Sequence, residues 1–445
     1  MVGISTMDPP ERVRDFAAKY GLTYLQLRDP GAALFGRFAE TDVIPRTILL
    51  DARHRIALLE LGYTELKLRT VVRAVRSTLG EAEAPPEAGA VPSPAASPPP
   101  AGGWVVEKIE TVDSRGSVGY FTSIDLDAAG RSWISYRDYS QGCLKVARES
   151  AAGWQVDTVD AMGDAGWSSS IRIGPSGAAV SYFAGEMGRG ELRYAHLSAR
   201  GWQVRTVDTG DVGSFTSLAF DAGGRPHISY FDVGRKDLKL ARGSADGTVW
   251  ETETVDAEGD VGLYTSLALD AAGNPAVSYF DEGAKDLKLA RWSPEARVWR
   301  IEVVDAEGDV GMHTSLALDA DGSPLVAYFD RSREDLKLAR RSKAGWTIET
   351  VDSEGTVGQR SSLELRPGRG PVISYFGNAT LKLAWRGETG WRQLMVDSGG
   401  VVGNYTSLAL AAGRAVISYF DVSKADLKVA RLACLDSGGA PAAGP

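Results

Sequence analysis

The 445-residue chain sets 49 Lys and Arg against 58 Asp and Glu, giving a formal charge of −9 and a pI near 5.2. A phosphate-binding surface needs clustered cations, so this acidic balance excludes nucleic acid as an expected partner. No run of about 18 apolar residues occurs and Met1 opens no charged-then-apolar leader, so neither membrane insertion nor a signal peptide is expected. As written the chain is expected in the cytoplasm; a lost N-terminal signal would instead place it in the periplasm or outside the cell. Two cysteines, Cys143 and Cys434, and four scattered histidines offer no metal-ligand spacing, so no metal and no cofactor is expected. A chain of this length is expected to form two or more domains.

Residues 8–21, "DPPERVRDFAAKYG", predict a helix: Asp8 is the N-cap, Pro9 and Pro10 fill the first turn, Glu11 completes a capping box and Gly21 stops it. A second helix is expected from Thr64 to Gly80, with Leu68, Val71, Val72, Val75 and Leu79 at helical spacing. Between them "RTILLD" and "RIALLEL" read as strands. The stretch from "VGIST" through "YGLTYLQLRDP" to "VIPRTILLDARHRIALLELGY" resembles the later two-thirds of a thioredoxin-like domain of the redoxin, peroxiredoxin and TlpA type. The resemblance implies an incomplete α/β domain over 1–80 and assigns Pro45 as its cis-proline. It also implies an active-site cysteine upstream of "VGIST", whereas residues 1–80 contain no cysteine. Thiol chemistry needs a thiolate. The domain is therefore expected to be truncated or degenerate, with truncation favoured because a missing strand leaves an exposed sheet edge. A thiol-disulfide or peroxide oxidoreductase is the alternative function if the missing segment exists.

Residues 81–103, "EAEAPPEAGAVPSPAASPPPAGG", read as a Pro/Ala-rich linker, and 435–445 as a disordered tail. From 104 to 434 the chain repeats. Trp104, Trp154, Trp202, Trp250, Trp299, Trp346 and Trp391 mark seven units of 45 to 50 residues. Each carries a Trp-led segment ("WETETVD"), a glycine loop ("AEGDVG"), and three runs such as "LYTSLALD", "AVSYFD" and "DLKLAR". Four strand-length runs at this period predict the blades of an all-β seven-bladed β-propeller. The Trp104 segment precedes any complete unit and the last unit ends after its third run, so the two ends are expected to share the seventh blade. The repeats resemble bacterial sialidase-like and lectin-like propellers. That resemblance implies carbohydrate binding and, more weakly, glycan hydrolysis, although no S-x-D-x-G-x-x-W box is present.

Positions fixed in nearly every unit are expected to hold blades together. The third-run cation (Lys145, Arg193, Lys239, Lys288, Lys337, Lys382, Lys428) and the second-run acid (Asp138, Asp232, Asp281, Asp330, Asp421) predict a repeated within-blade ion pair or hydrogen-bonded corner, in preference to a charged ring that binds ligand. The loop from Asp256 to Gly262 lacks calcium-ligand spacing and reads as a glycine turn. Cys143 and Cys434 are expected at opposite faces of the ring, which disfavours a disulfide. By contrast, the pair before "TS" or "SS" differs in every unit. It contributes Tyr120, Phe121, Trp167, Phe215, Tyr264, His313, Arg360 and Tyr405, an aromatic-rich set expected to receive a glycan, peptide or protein ligand on one propeller face. Binding or scaffolding without catalysis is the expected activity, and blade-to-blade packing is the competing explanation of the same residues.

Overall fold

The computed structural model describes residues 103–435 apart from 187 and 412, together with the backbone of four short strands before residue 62. The chain divides into two compact units, Met1–Ser97 and Pro98–Pro445. In the first, β1 (Val2–Ser5) pairs in parallel with β2 (Leu25–Arg28), and β3 (Arg46–Leu50) pairs antiparallel with β4 (Ile56–Leu61). Strands β1, β3 and β4 fall where "VGIST", "RTILLD" and "RIALLEL" place them. The expected helices at 8–21 and 64–80, Pro45, most of the linker and the tail beyond 435 lie outside the described residues.

The second unit is a seven-bladed β-propeller: seven sheets of four antiparallel strands, six of them in sequential order. Blades 1 to 6 span residues 118–160, 165–209, 212–256, 261–305, 310–352 and 357–397. Blade 7 combines 402–434 with β5 (Trp104–Asp113), which pairs antiparallel with the strand Asp426–Cys434 in the register Leu427↔Asp113 to Cys434↔Trp104. The ring is therefore closed by both ends of the domain, as the incomplete last unit requires.

Burial along one blade explains its residue types. The second strand of blade 4, Pro275–Asp281, is buried at every position because both faces of the sheet meet a neighbouring blade. It reads accordingly as a continuous apolar run, "PAVSYFD". The outer strand of the same blade, Val298–Asp305, is exposed or half-buried at every position except its last two, Val304 and Asp305. Seven hydrophobic clusters fill the seven junctions, each built from two consecutive blades. Six of the seven repeat tryptophans pack on the edge of one cluster, as Trp202 does on that of blades 1 and 2 and Trp250 on that of blades 2 and 3, while Trp104 is buried within the cluster of blades 6 and 7. A glycine opens every innermost strand so that it can cross close over the preceding blade. Gly262 has φ +108°, and a Cβ there would lie 2.8 Å from the Cα of Leu238 in blade 3. The equivalent Gly311 would meet Leu287 at 2.7 Å.

Candidate functional site: the axial cavity

Two sets of side chains are ordered by this frame, one at the blade junctions and one on the ring axis. At each junction a fully buried second-strand tyrosine donates its phenol hydrogen bond to the aspartate that ends the outer strand of the preceding blade. The seven distances are 2.6 to 2.7 Å, from Tyr136 to Asp113 round to Tyr419 to Asp397. The third-strand cation reaches the same aspartate, at 2.6 to 3.8 Å, in all seven junctions. In five blades it also meets the second-strand acid of its own blade, as with Lys288 and Asp281 at 2.7 Å or Lys337 and Asp330 at 2.8 Å. The expected within-blade pair is thus part of a larger knot, and the constant partner sits across the junction. Blades 2 and 6 show why: Ala184 and Gly377 replace the second-strand acid, yet Arg193 and Lys382 still hold Asp160 and Asp352.

Burial opposes the charge of Lys288, but the hydrogen bond to Asp281 and the fields of Asp256 and Asp281 outweigh it and keep its pKa above the ordinary value. Burial likewise works against Asp352, while donors Tyr375 and Lys382 hold its carboxyl below the usual range. Asp256 and Asp305, which lie at the start of the glycine loops, are therefore committed to knots. No group of three or more metal-ligating side chains occurs among the described residues. Cys143 and Cys434 are both buried free thiols, one starting and the other ending a third strand.

The innermost strands carry the second set. In each blade the pairing register shifts twice around the variable pair, a β-bulge seen in blade 4 between Val261 and Leu263 and again between Leu263 and Ser266. The bulge separates the two members of the pair. The first stays paired with the second strand, as Tyr120 is with Arg137 and Trp167 with Phe183. The second is thrown into the left-handed region in all seven blades: Phe121, Ser168, Phe215, Tyr264, His313, Arg360 and Tyr405 have φ between 50° and 56°. Together with the following hydroxyl residue from each blade, these seven line one cavity of about 200 Å³. Seven equivalent positions of a ring can converge only on its axis, and they lie near the entry of the innermost strands, the end that also carries the second-to-third-strand loops.

Six of the eight expected residues therefore meet here. Tyr120 and Trp167 do not line the cavity. Tyr120 packs on Phe420 with ring centroids 4.2 Å apart, and Trp167 is held by Asp164 at 3.0 Å with Arg137 stacked 4.2 Å over its ring. Ser168 takes the place expected of Trp167, since the bulge exposes only the second residue of each pair. The lining alternates aromatic arcs. Phe215, Tyr264 and His313 follow one another at 4.6 and 4.4 Å, while Arg360 sits 4.4 Å over Tyr405, itself 4.4 Å from Phe121.

Beneath the arcs, the hydroxyl of the residue that follows each ring position is already bonded. Thr265 joins Ser229 at 2.7 Å and the carbonyl of Phe215 at 2.9 Å, and Thr314 repeats this with Ser278 and Tyr264. Thr122 and Ser418 close the same link between blades 7 and 1. These hydroxyls tie blade to blade. The polar ends of Ser168, Tyr264, His313, Arg360 and Tyr405 make no such bonds to the described residues. Burial and then Arg360 hold His313 neutral, its pKa well below the ordinary imidazole value. Burial raises the phenols of Tyr264 and Tyr405 against the opposing pull of Arg360, so both remain protonated donors. No carboxylate lines the cavity, which leaves a two-carboxylate hydrolysis without its groups there.

Four residues further along each innermost strand, a second position varies: Asp125, Arg172 and Glu364 in blades 1, 2 and 6, alanine in the other four. Asp125 accepts the backbone N–H of Ile173 at 2.7 Å. Burial pushes Glu364 up to about 7, with Arg172 lowering and Asp125 raising it by smaller amounts. The sequence reading missed this level, although its departure from alanine in three units is visible.

No protein-family model matches the chain, and no curated protein matches it. The redoxin resemblance of residues 1–80 has no support from these comparisons. Solved structures do match. An ulvan lyase, a polysaccharide lyase of the PL25 family, shares 12% identity at a TM-score of 0.50, over 72% of this chain and 96% of that one. A second structure of such a lyase, bound to a GlcA(1-4)Rha3S unit, gives 12%, 0.50, 75% and 96%. A leech intramolecular trans-sialidase gives 11% identity and a TM-score of 0.40, over 74% of this chain and 70% of that one. At such identities the likeness is one of fold, the β-propeller.

Proposed function

We propose that the propeller is a glycan-binding disc whose ligand enters the axial cavity. The observation that carries this reading is the left-handed backbone of the seven ring residues, none of them glycine. That conformation costs a bulky L-residue roughly 1–2 kcal/mol, and such strain gathers where a side chain must be aimed at something. Here it aims four aromatic rings, an imidazole and a guanidinium into one concave site while leaving their polar ends free of protein partners. Aromatic faces with a few convergent donors match the apolar faces and hydroxyl edges of a sugar. The same fold carries a polysaccharide unit in the ulvan lyase.

A printed glycan array probed with the full chain tests the reading. Binding should be lost when Tyr264, His313 and Tyr405 are all replaced by Ala. A triple variant that keeps the wild-type melting temperature and binds as before would move the site away from the cavity.

A further inference from the structure

We infer that the axial cavity selects acidic saccharides, with Arg360 as the anchor for a carboxylate or sulfate group. This rests on the glycan reading above and narrows it. Arg360 is the one charged side chain in the lining, because the imidazole of His313 and the phenols of Tyr264 and Tyr405 are neutral. It has no carboxylate within ion-pair distance among the described residues. Its neighbours on the same face do: Lys285 pairs with Glu282 at 2.5 Å, Arg331 with Asp309 at 3.6 Å and Arg333 with Glu307 at 2.6 Å. Those pairs stand in loops exposed to water, whereas Arg360 is half-buried in the cavity.

The Arg360 guanidinium is held in place without being neutralised. The ring of Tyr405 lies against it at 4.4 Å, which supports the cation while leaving its N–H fork free. Such a fork binds a planar carboxylate or a sulfate through two parallel charge-assisted hydrogen bonds. The neutral groups around it sharpen the choice. Tyr264, Tyr405 and His313 can donate to or accept from hydroxyls, but none offers an anion to a cationic ligand. A chain with a formal charge of −9 would repel acidic polymers over most of its surface, so the uncompensated cation in the cavity marks where an acidic ligand is tolerated.

The test compares the full chain with Arg360→Gln and Arg360→Lys on one array holding uronate-bearing, sialic-acid-bearing, sulfated and neutral glycans. The wild type should bind acidic glycans at least about tenfold more tightly than neutral ones of the same backbone, and the preference should shrink in 0.5 M salt as screening predicts. Arg360→Gln should remove that preference, while Arg360→Lys keeps part of it. Uronate-only against sulfate-only binding then identifies the anion. Equal binding of neutral and acidic glycans, or an unchanged preference in Arg360→Gln, would overturn the role of Arg360 and leave the glycan reading standing. Silence of the wild type on every glycan class would overturn both. A melting temperature for each variant separates a lost contact from a lost fold.

Discussion

The knots at the blade junctions and the ring on the axis are both built seven times, yet they obey opposite rules. Each knot repeats the same tyrosine and the same aspartate, with a lysine or, in one case, an arginine. The ring repeats only a backbone conformation and fills it with Phe, Ser, Phe, Tyr, His, Arg and Tyr. Identity of side chain marks what every junction needs to stay closed. Variation on a fixed, strained backbone marks what no junction needs, since packing alone would be served by glycine or asparagine at that φ.

The largest expected effect falls on the knots. Asp352→Ala strands the phenol of Tyr375 and the ammonium of Lys382, both buried and, in a blade with Gly377 in place of the second-strand acid, without a second carboxylate, and should cost about 3–5 kcal/mol in denaturant unfolding. A loss below 1 kcal/mol would mean that the knots do not hold the junctions closed. Gly262→Ala should cost roughly 1–3 kcal/mol, because a Cβ at φ +108° also presses on the backbone of Leu238.

Acidity separates the knots from the lower axial level. Asp208, Asp352 and Asp397 titrate below ordinary carboxylates despite burial, so their contribution is complete above about pH 4 and disappears as pH falls through their folded values. Glu364 behaves in reverse. Its pKa rises from the model-peptide range to about 7 on folding, so it destabilises the fold progressively as pH climbs from 4.5 to 7 and remains unfavourable above. Glu364→Gln should therefore raise the melting temperature at pH 8 and leave it nearly unchanged at pH 4; equal shifts at both values would refute the assignment. The smallest expected change in stability is that of Tyr264→Gly. It loses the stacking on Phe215 and His313, worth about 0.5–1.5 kcal/mol per pair, and gains about 1–2 kcal/mol of relief from the left-handed conformation, so the net falls between a gain of about 1 and a loss of about 2 kcal/mol. Binding should nonetheless fall.

The architecture was legible because the repeat is written in residues with narrow tolerances: the tryptophan on each cluster, the glycine that opens each innermost strand, the apolar second run. Closure of blade 7 by the Trp104 strand followed from counting runs at the two ends. The knot was half legible. Recurrence tells which positions matter, but not which neighbour a side chain reaches, and the aspartate of "TVD" reaches forward into the next blade. Its repetition beside the tyrosine of "SYF" was the available signal. The ring was found as pairs of residues, whereas only one of each pair faces the axis. A β-bulge has no sequence signature beyond the preceding glycine, so the sequence points to Trp167 where Ser168 stands.

The stitched seventh blade also sets an order of events during synthesis. Strand β5 leaves the ribosome before any complete blade, yet its hydrogen-bond partner, Asp426–Cys434, is made more than 300 residues later. Until then this strand must wait with both edges open while six blades assemble behind it. The last propeller strand translated is thus the one that turns a row of blades into a ring, and a ribosome stalled before it would hold an open arc.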